Sequence, residues 1–234
     1  MSRLNWIFTL SSLSVLLVTI ERFSFTAKVL LNPYNFLRLH ELVQISIVIL
    51  LTIIVPTLLL FEVTSKFSEI KKRDLLLIMT FIVGVYFYSA GNGVHELASF
   101  MLNQYCDLKN LTGNLCKGLF FNDYYFGNIT YFVGGFLMVA SLLLIEFKRP
   151  NKSYAKKDLL ITIVNGVIYS FAIFAYIAFD RVLVGLVYSL ITTVFSLGLF
   201  FVVRKKYLKY PLITYTTLTY FLGTSAAIIV RFLR

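Results

Sequence analysis

Charged side chains are scarce in this sequence. Asp, Glu, Lys and Arg make up 14% of its 234 residues, whereas about 25% is typical of soluble domains. Hydrophobic residues make up 59%, so the chain cannot cover a folded globule with polar surface. This composition excludes a soluble enzyme and indicates a protein that folds in a lipid bilayer.

Histidine and cysteine are also rare, with two residues of each type. A metal centre usually needs several His, Cys or carboxylate ligands in a fixed geometry. The two histidines each precede a glutamate, as His40-Glu41 and His95-Glu96. The candidates for a metal site are therefore His40, His95, Glu96 and Asp123, and the sequence assigns no cofactor.

Acidic residues are half as numerous as basic ones, which gives a net charge of +11. Such an excess is typical of nucleic-acid binding when it covers one face of a domain. Here the Lys and Arg residues lie in short blocks beside hydrophobic runs, so we expect no nucleic-acid partner. These blocks attract anionic headgroups on the cytoplasmic side, at about 1 kcal/mol per residue near the surface.

Seven long runs contain neither a charged residue nor a histidine. A charge near the bilayer centre costs about 2.5–3.5 kcal/mol, and about 20 residues of helix cross the hydrocarbon core. The sequence therefore predicts an all-α polytopic bundle in one membrane domain over residues 1–234. Its spans are predicted at 4–20, 42–61, 75–94, 124–145, 159–179, 182–203 and 210–230.

The distribution of Lys and Arg predicts the orientation of the bundle. Short loops that stay in the cytoplasm retain an excess of these residues. The N-terminal segment and the connections 62–74, 146–158 and 204–209 carry 14 of them, and the opposite side carries 8. We expect the N-terminus inside and the C-terminus outside, in the cell membrane.

The connection predicted at 95–123 holds two candidate modification sites on the outside. Cys106 and Cys116 are close enough in sequence to form a disulfide in an oxidising compartment, and two free thiols are the alternative. Asn110 begins the glycosylation sequon Asn-Leu-Thr.

Polar residues gather where spans three and four reach the predicted outer surface. Gly91 and Gly93 flank an amide at the end of span three, which predicts a break or bend in that helix. If the helix continues, its polar residues recur on one face, and antiparallel neighbours bring residues of similar depth together. We therefore predict an outward-facing polar pocket between these spans, formed by Asn92, His95, Glu96, Asp123 and Asn128.

Other polar segments on this side are interpreted as structural. The mixed stretch 21–41 is expected to lie along the membrane interface. Asp180 and Arg181 connect spans five and six, and we expect them to form an ion pair that stabilises the turn.

Three classes of function remain open. The first is a non-enzymatic protein whose pocket binds or passes a small solute or a lipid headgroup. The second is an intramembrane enzyme that modifies or hydrolyses lipid, with His95 or Asp123 as general base and Glu96 as a second carboxyl group or metal ligand. The third is an assembly subunit, which needs no site.

Seven spans with an inside N-terminus resemble the arrangement of the membrane hydrolases that include alkaline ceramidases and the progestin and adiponectin receptors. That group presents a pair of histidines late in the chain. Residues 211–234 contain no histidine, so the sequence is not assigned to this group.

Overall fold

The computed structural model describes residues 2–64, 72–151 and 154–233, without the side chain of residue 73. Within these ranges, seven helices are long and apolar enough to cross a membrane. The prediction of an all-α, seven-span membrane protein is confirmed. The helices are α1 (Arg3–Glu21), α2 (Leu39–Val63), α3 (Lys72–Tyr105), α4 (Gly113–Lys148), α5 (Lys156–Ala178), α6 (Val184–Val203) and α7 (Pro211–Leu233).

Helix α3 is longer than the sequence predicted. It has 34 residues and no break at its glycines, so it measures about 51 Å at 1.5 Å per residue. The hydrocarbon core of a bilayer is about 30 Å thick. The prediction of a loop over 95–123 is therefore wrong in extent, because α3 continues to Tyr105 and α4 begins at Gly113.

Close packing explains why the glycines do not interrupt α3. Gly84 on α3 faces Gly134 on α4, and Gly91 on α3 faces Gly127 on α4. On each helix the two glycines are seven residues apart. A Cβ atom at Gly91 or at Gly134 would lie 2.2 Å from a backbone nitrogen of the opposite helix. Small residues at such spacing let two membrane helices approach closely. Gly91 therefore forms a helix contact, and the predicted break is wrong.

Two of the spans contain π-helical segments, at Gln44–Val48 in α2 and Asn122–Gly127 in α4. Such segments inside longer helices are frequent at functional sites. Both lie toward the same end of the bundle as His95, which we call the His95 end.

Buried polar contacts join the helices at the opposite end. The carboxylate of Glu146 accepts hydrogen bonds from the backbone N–H groups of Leu212 (3.0 Å) and Ile213 (2.8 Å), at the start of α7. The side chain of Asn5 donates to the carboxylate of Asp158 at 3.0 Å, which links α1 to α5. These contacts fix the register of the helices that also form the His95 end.

Two connecting segments lie at the His95 end, one after α1 and one between α3 and α4. A disulfide joins Cys106 to Cys116 and so connects the end of α3 to the start of α4. Asn110 is exposed in the connection between them. The stretch after α1 carries exposed aromatic side chains at Phe23, Phe25 and Phe36.

Candidate functional site

A polar cavity of about 380 Å³ lies at the His95 end. It is wider than the pocket predicted between spans three and four, because the ends of α1, α2 and α5 also contribute to it. Its lining includes three arginines, two histidines and four carboxylates: Arg22, Arg38, Arg181, His40, His95, Glu41, Glu96, Asp123 and Asp180.

The position of the cavity along α3 fits the depth of a membrane interface. Asp74 and His95 are about 31 Å apart along the axis of α3, at 1.5 Å per residue. This distance matches the roughly 30 Å thickness of the hydrocarbon core. A bilayer with one boundary at Asp74 therefore has its other boundary at His95.

His95 and Asp123 form a buried pair between α3 and α4. The Nδ1 atom of His95 lies 2.7 Å from Oδ1 of Asp123 and 3.2 Å from the Asp123 carbonyl oxygen. Because both neighbours are oxygen acceptors, the proton of a neutral imidazole lies on Nδ1 and leaves Nε2 as an acceptor. The glycine contacts create this pair, since a Cβ atom at Gly127 would lie 2.9 Å from the backbone nitrogen of His95.

His40 forms a separate pair with Glu21. Its Nδ1 atom lies 2.5 Å from Oε2 of Glu21, and its Nε2 atom lies 3.9 Å from Oε2 of Glu96. The two histidines thus have different carboxylate partners. In the described ranges, no group of three or more His, Cys, Asp or Glu side chains is placed to hold a metal ion.

The three arginines differ in their partners. The Nε atom of Arg38 donates to both carboxylate oxygens of Glu41, at 2.9 and 3.2 Å. Arg22 lies over the ring of Tyr176, with its guanidinium carbon 5.6 Å from the ring centroid, and Arg181 lies over Tyr124 at 6.0 Å. No carboxylate of the described residues lies within 4.0 Å of the Arg22 or Arg181 guanidinium groups.

Asp180 presents an acceptor at the edge of the cavity. Its Oδ1 atom accepts a hydrogen bond from the backbone N–H of Val182 at 3.3 Å. Its Oδ2 atom is buried and has no hydrogen-bond partner among the described residues. Burial raises the pKa of this carboxyl group above its usual value.

The turn that carries Asp180 is held by an arginine that no sequence pattern distinguishes. Arg231, near the end of α7, donates to the carbonyl oxygen of Asp180 at 2.8 Å and to that of Ile177 at 2.7 Å. Asp180 and Arg181 do not form an ion pair in the described structure, so that prediction is wrong. The side chain of Arg181 instead lies over Tyr124.

Four of the five residues predicted for the polar pocket line the cavity, namely His95, Glu96, Asp123 and Asn128. The Oδ1 atom of Asn128 accepts a hydrogen bond from the hydroxyl of Tyr176 at 3.0 Å. Asn92 is buried outside the cavity lining, and its Oδ1 atom has no hydrogen-bond partner in the described part of the chain.

A second, apolar cavity of about 180 Å³ lies deeper between the helices. Tyrosines of five helices line it: Tyr88, Tyr131, Tyr169, Tyr176, Tyr188, Tyr215 and Tyr220. Tyr176 lines both cavities. This cavity was not predictable from the tyrosines alone, because aromatic residues in a membrane protein are also typical of its interfacial belts.

Comparison with known proteins assigns no function to either cavity. No family model matches this chain, and no curated protein and no solved structure matches it.

Proposed function

We propose that the protein binds a phosphate-bearing headgroup in the polar cavity, and that this headgroup also carries hydrogen-bond donors. The main observation in support of this proposal is that Arg22 and Arg181 line the cavity without a carboxylate partner among the described residues. Guanidinium groups form charge-assisted hydrogen bonds to phosphate. The two arginines therefore supply donors for the anionic group.

Acidic side chains of the cavity favour a ligand that also donates hydrogen bonds. The Oδ2 atom of Asp180 is buried without a partner among the described residues, and Glu96 lines the same cavity. A fully ionised phosphate group offers no hydrogen-bond donor to Oδ2 of Asp180 or to Glu96. An ammonium or hydroxyl group on the ligand satisfies them, because a buried acceptor without a hydrogen bond is costly.

The volume and position of the cavity fit this ligand class. A water molecule takes about 30 Å³ of liquid volume, so a cavity of about 380 Å³ has room for a phosphate together with its substituent. On the orientation that the Lys and Arg distribution predicts, the cavity faces the outside of the cell membrane. A small phosphorylated solute and a lipid headgroup share this chemistry.

Binding to the detergent-purified protein tests the proposal. Isothermal titration with glycerol phosphate, phosphoethanolamine and phosphocholine should show the weakest binding for phosphocholine, which has neither N–H nor O–H donors. Arg22→Gln and Arg181→Gln should each weaken phosphoethanolamine binding at least tenfold, because a hydrogen bond to a charged group contributes about 1.5–3 kcal/mol.

Arg204→Gln is the matched control, since Arg204 is exposed at the opposite end of the bundle. It should leave the affinity unchanged. The proposal is contradicted if none of the three phosphates binds, or if all three substitutions change the affinity equally.

The His95–Asp123 pair favours a second candidate function, hydrolysis of an ester bond of the bound headgroup. Nε2 of His95 is an acceptor, and His95 lines the cavity. It can take a proton from water as the water oxygen bonds to phosphorus, and return that proton to the leaving alkoxide as the phosphate ester bond breaks. Asp123 holds the imidazole in the required tautomer.

Headgroup release from labelled phospholipid vesicles tests this second candidate. His95→Gln should lower the rate by 10²-fold or more, as expected for loss of a general base, while headgroup binding persists. Absence of release by the wild-type protein contradicts hydrolysis and leaves the binding function in place.

A further inference from the structure

We infer that the ligand is an anionic amphiphile with a single apolar tail, and that this tail occupies the tyrosine-lined cavity. The inference rests on the proposed headgroup site. It extends that proposal by naming a membrane lipid, and not a soluble phosphate, as the class of ligand.

The two cavities are adjacent along the bundle axis. Asn128 lines the polar cavity, and Phe132, one helical turn further along α4, lines the apolar cavity. Tyr176 stands between them: its hydroxyl donates to Asn128 at 3.0 Å, and its ring packs edge-on against Phe132 with 5.6 Å between centroids. A molecule with its polar end beside Asn128 therefore has its other end directed at the apolar cavity.

The apolar cavity is deep enough for a lipid chain. Along α4 its lining extends from Tyr131 to Leu143, about 18 Å at 1.5 Å per residue. This exceeds half of the roughly 30 Å hydrocarbon core. A chain that enters from the interface at His95 thus reaches the depth of a leaflet's own acyl chains.

The chemistry of the lining favours hydrocarbon over water. The tyrosine hydroxyls are largely engaged with one another or with neighbouring side chains, as in the Tyr188–Tyr220 bond of 2.6 Å and the Tyr88–Thr52 bond of 2.9 Å. Between them lie aliphatic side chains such as Leu59. Apolar walls with few available polar groups are typical of sites for apolar ligands, and a volume of about 180 Å³ suits one chain and not two.

The charges at the entrance specify which amphiphile fits. Arg22 is next to Tyr176, with 5.6 Å from its guanidinium carbon to the ring centroid. A tail that passes Tyr176 therefore places its headgroup beside a guanidinium group. This juxtaposition favours an amphiphile with one anionic headgroup and one chain, as in a lysophospholipid whose headgroup also donates hydrogen bonds.

A chain-length series measures the contribution of the tail cavity. The probes are inorganic phosphate and butyl, octyl and dodecyl phosphate, titrated into the detergent-purified full-length protein. We expect affinity to rise about fourfold per methylene group that enters the cavity. Because alkyl phosphates also partition into detergent, the informative quantity is the difference between variants.

Gly135→Leu and Gly198→Leu form a matched pair of variants. Gly135 lines the apolar cavity, and a Cβ atom there meets the Tyr188 hydroxyl at 3.3 Å, whereas a Cβ atom at Gly198 has no neighbour within 4 Å. Gly135→Leu should abolish most of the chain-length dependence and leave the affinity for inorganic phosphate unchanged. Gly198→Leu should behave as the wild-type protein.

The outcomes separate this inference from the proposed function. If chain-length dependence is the same in all three proteins while phosphate binding still requires Arg22, the tail cavity is overturned and the headgroup site stands. If binding is also unaffected by Arg22→Gln and Arg181→Gln, both fail. Should Gly135→Leu not fold, Gly135→Ala is expected to reduce the chain-length dependence partially, and an undiminished dependence in that variant overturns the inference.

Discussion

The charged carboxyl group of Asp180 lowers the stability of the folded protein, and the same residue lines the proposed headgroup site. Burial raises the pKa of its carboxyl group, so the charged form is disfavoured in the folded protein. Such a group destabilises the folded state as the pH rises above the carboxyl's ordinary pKa. Asp180→Asn retains an oxygen that can accept from the Val182 N–H and should raise the melting temperature at neutral pH.

The size of this gain should depend on pH. The advantage of Asp180→Asn over the wild type is expected to shrink as the pH falls and the native carboxyl group becomes protonated. Asp107→Asn is a suitable control, because exposed Asp107 also accepts from a backbone N–H two residues ahead, that of Lys109. A gain of equal size in both variants, or one independent of pH, contradicts this account of Asp180.

Single residues of the site were partly predictable from the sequence. His95, Glu96 and Asp123 are conspicuous because an ionisable group beside an apolar run is costly and usually functional. Arg22 and Tyr176 were not identified, since nothing local distinguishes them from topology-setting or interfacial residues. Their role depends on α1, α4 and α5 meeting at one end, which is a property of the folded bundle.

At the scale of helices, the glycine contact between α3 and α4 yields a sharp comparison. A Cβ atom at Gly91 would lie 2.2 Å from the backbone nitrogen of Tyr131, whereas one at Gly93 has no neighbour within 4 Å. Gly91→Ala must therefore separate the helices, and overpacking of this kind costs about 1–3 kcal/mol. Gly93→Ala should stabilise the helix by about 0.5–1 kcal/mol.

Unfolding in denaturing detergent compares the stabilities of the two glycine variants. Gly91→Ala should also weaken headgroup binding, because separation of α3 from α4 moves Glu96 away from the other charged groups that line the cavity. Equal stability changes in the two variants would show that close packing at Gly91 does not hold these helices. From the sequence, both glycines were predicted to break the helix, because their spacing alone does not reveal which one contacts a neighbouring helix.

Glu146 stabilises the beginning of α7. Its two carboxylate oxygens accept from the N–H groups of Leu212 and Ile213, which lie in the first turn and have no acceptor within that helix. Glu146→Ala leaves these buried donors without a partner and should cost about 2–6 kcal/mol, at about 1–3 kcal/mol for each donor. Glu146→Gln keeps one acceptor and should cost less.

The same unfolding measurement tests the role of Glu146. Glu62→Ala is the control, since within the described ranges Glu62 forms only a loose ion pair with exposed Arg3 at 3.9 Å, and such pairs contribute about 0–1 kcal/mol. If Glu146→Ala is no less stable than Glu62→Ala, Glu146 does not stabilise the start of α7.

At the scale of the whole molecule, the number of spans was predictable because bilayer thickness and charge cost act on each helix separately. The contacts between helices were not predictable from the sequence. Lipid and protein interiors are similarly apolar, so the hydrophobic pattern does not specify which helix faces meet. The break predicted in α3 illustrates this limit. The number of consecutive apolar residues predicts the span. The packing of α3 against α4 explains why helix α3 continues to Tyr105.

The orientation of the bundle is the molecular property that determines which side of the membrane the polar cavity serves. Seven spans place the two termini on opposite sides, and the excess of 14 over 8 basic residues predicts the N-terminus inside. Exposed Lys109 and Lys205 lie at opposite ends of the bundle. The native cysteines are joined to each other and do not react with maleimides.

Labelling of intact cells with a membrane-impermeant maleimide measures this orientation. Lys109→Cys should be labelled in intact cells, and Lys205→Cys only after permeabilisation, because the predicted inside loops include 204–209. The reverse pattern would place the polar cavity on the cytoplasmic side, where its ligand would come from the inner leaflet. Arg22 and Arg181 would still bind the headgroup, so this result would change the source of the lipid and not the chemistry of its recognition.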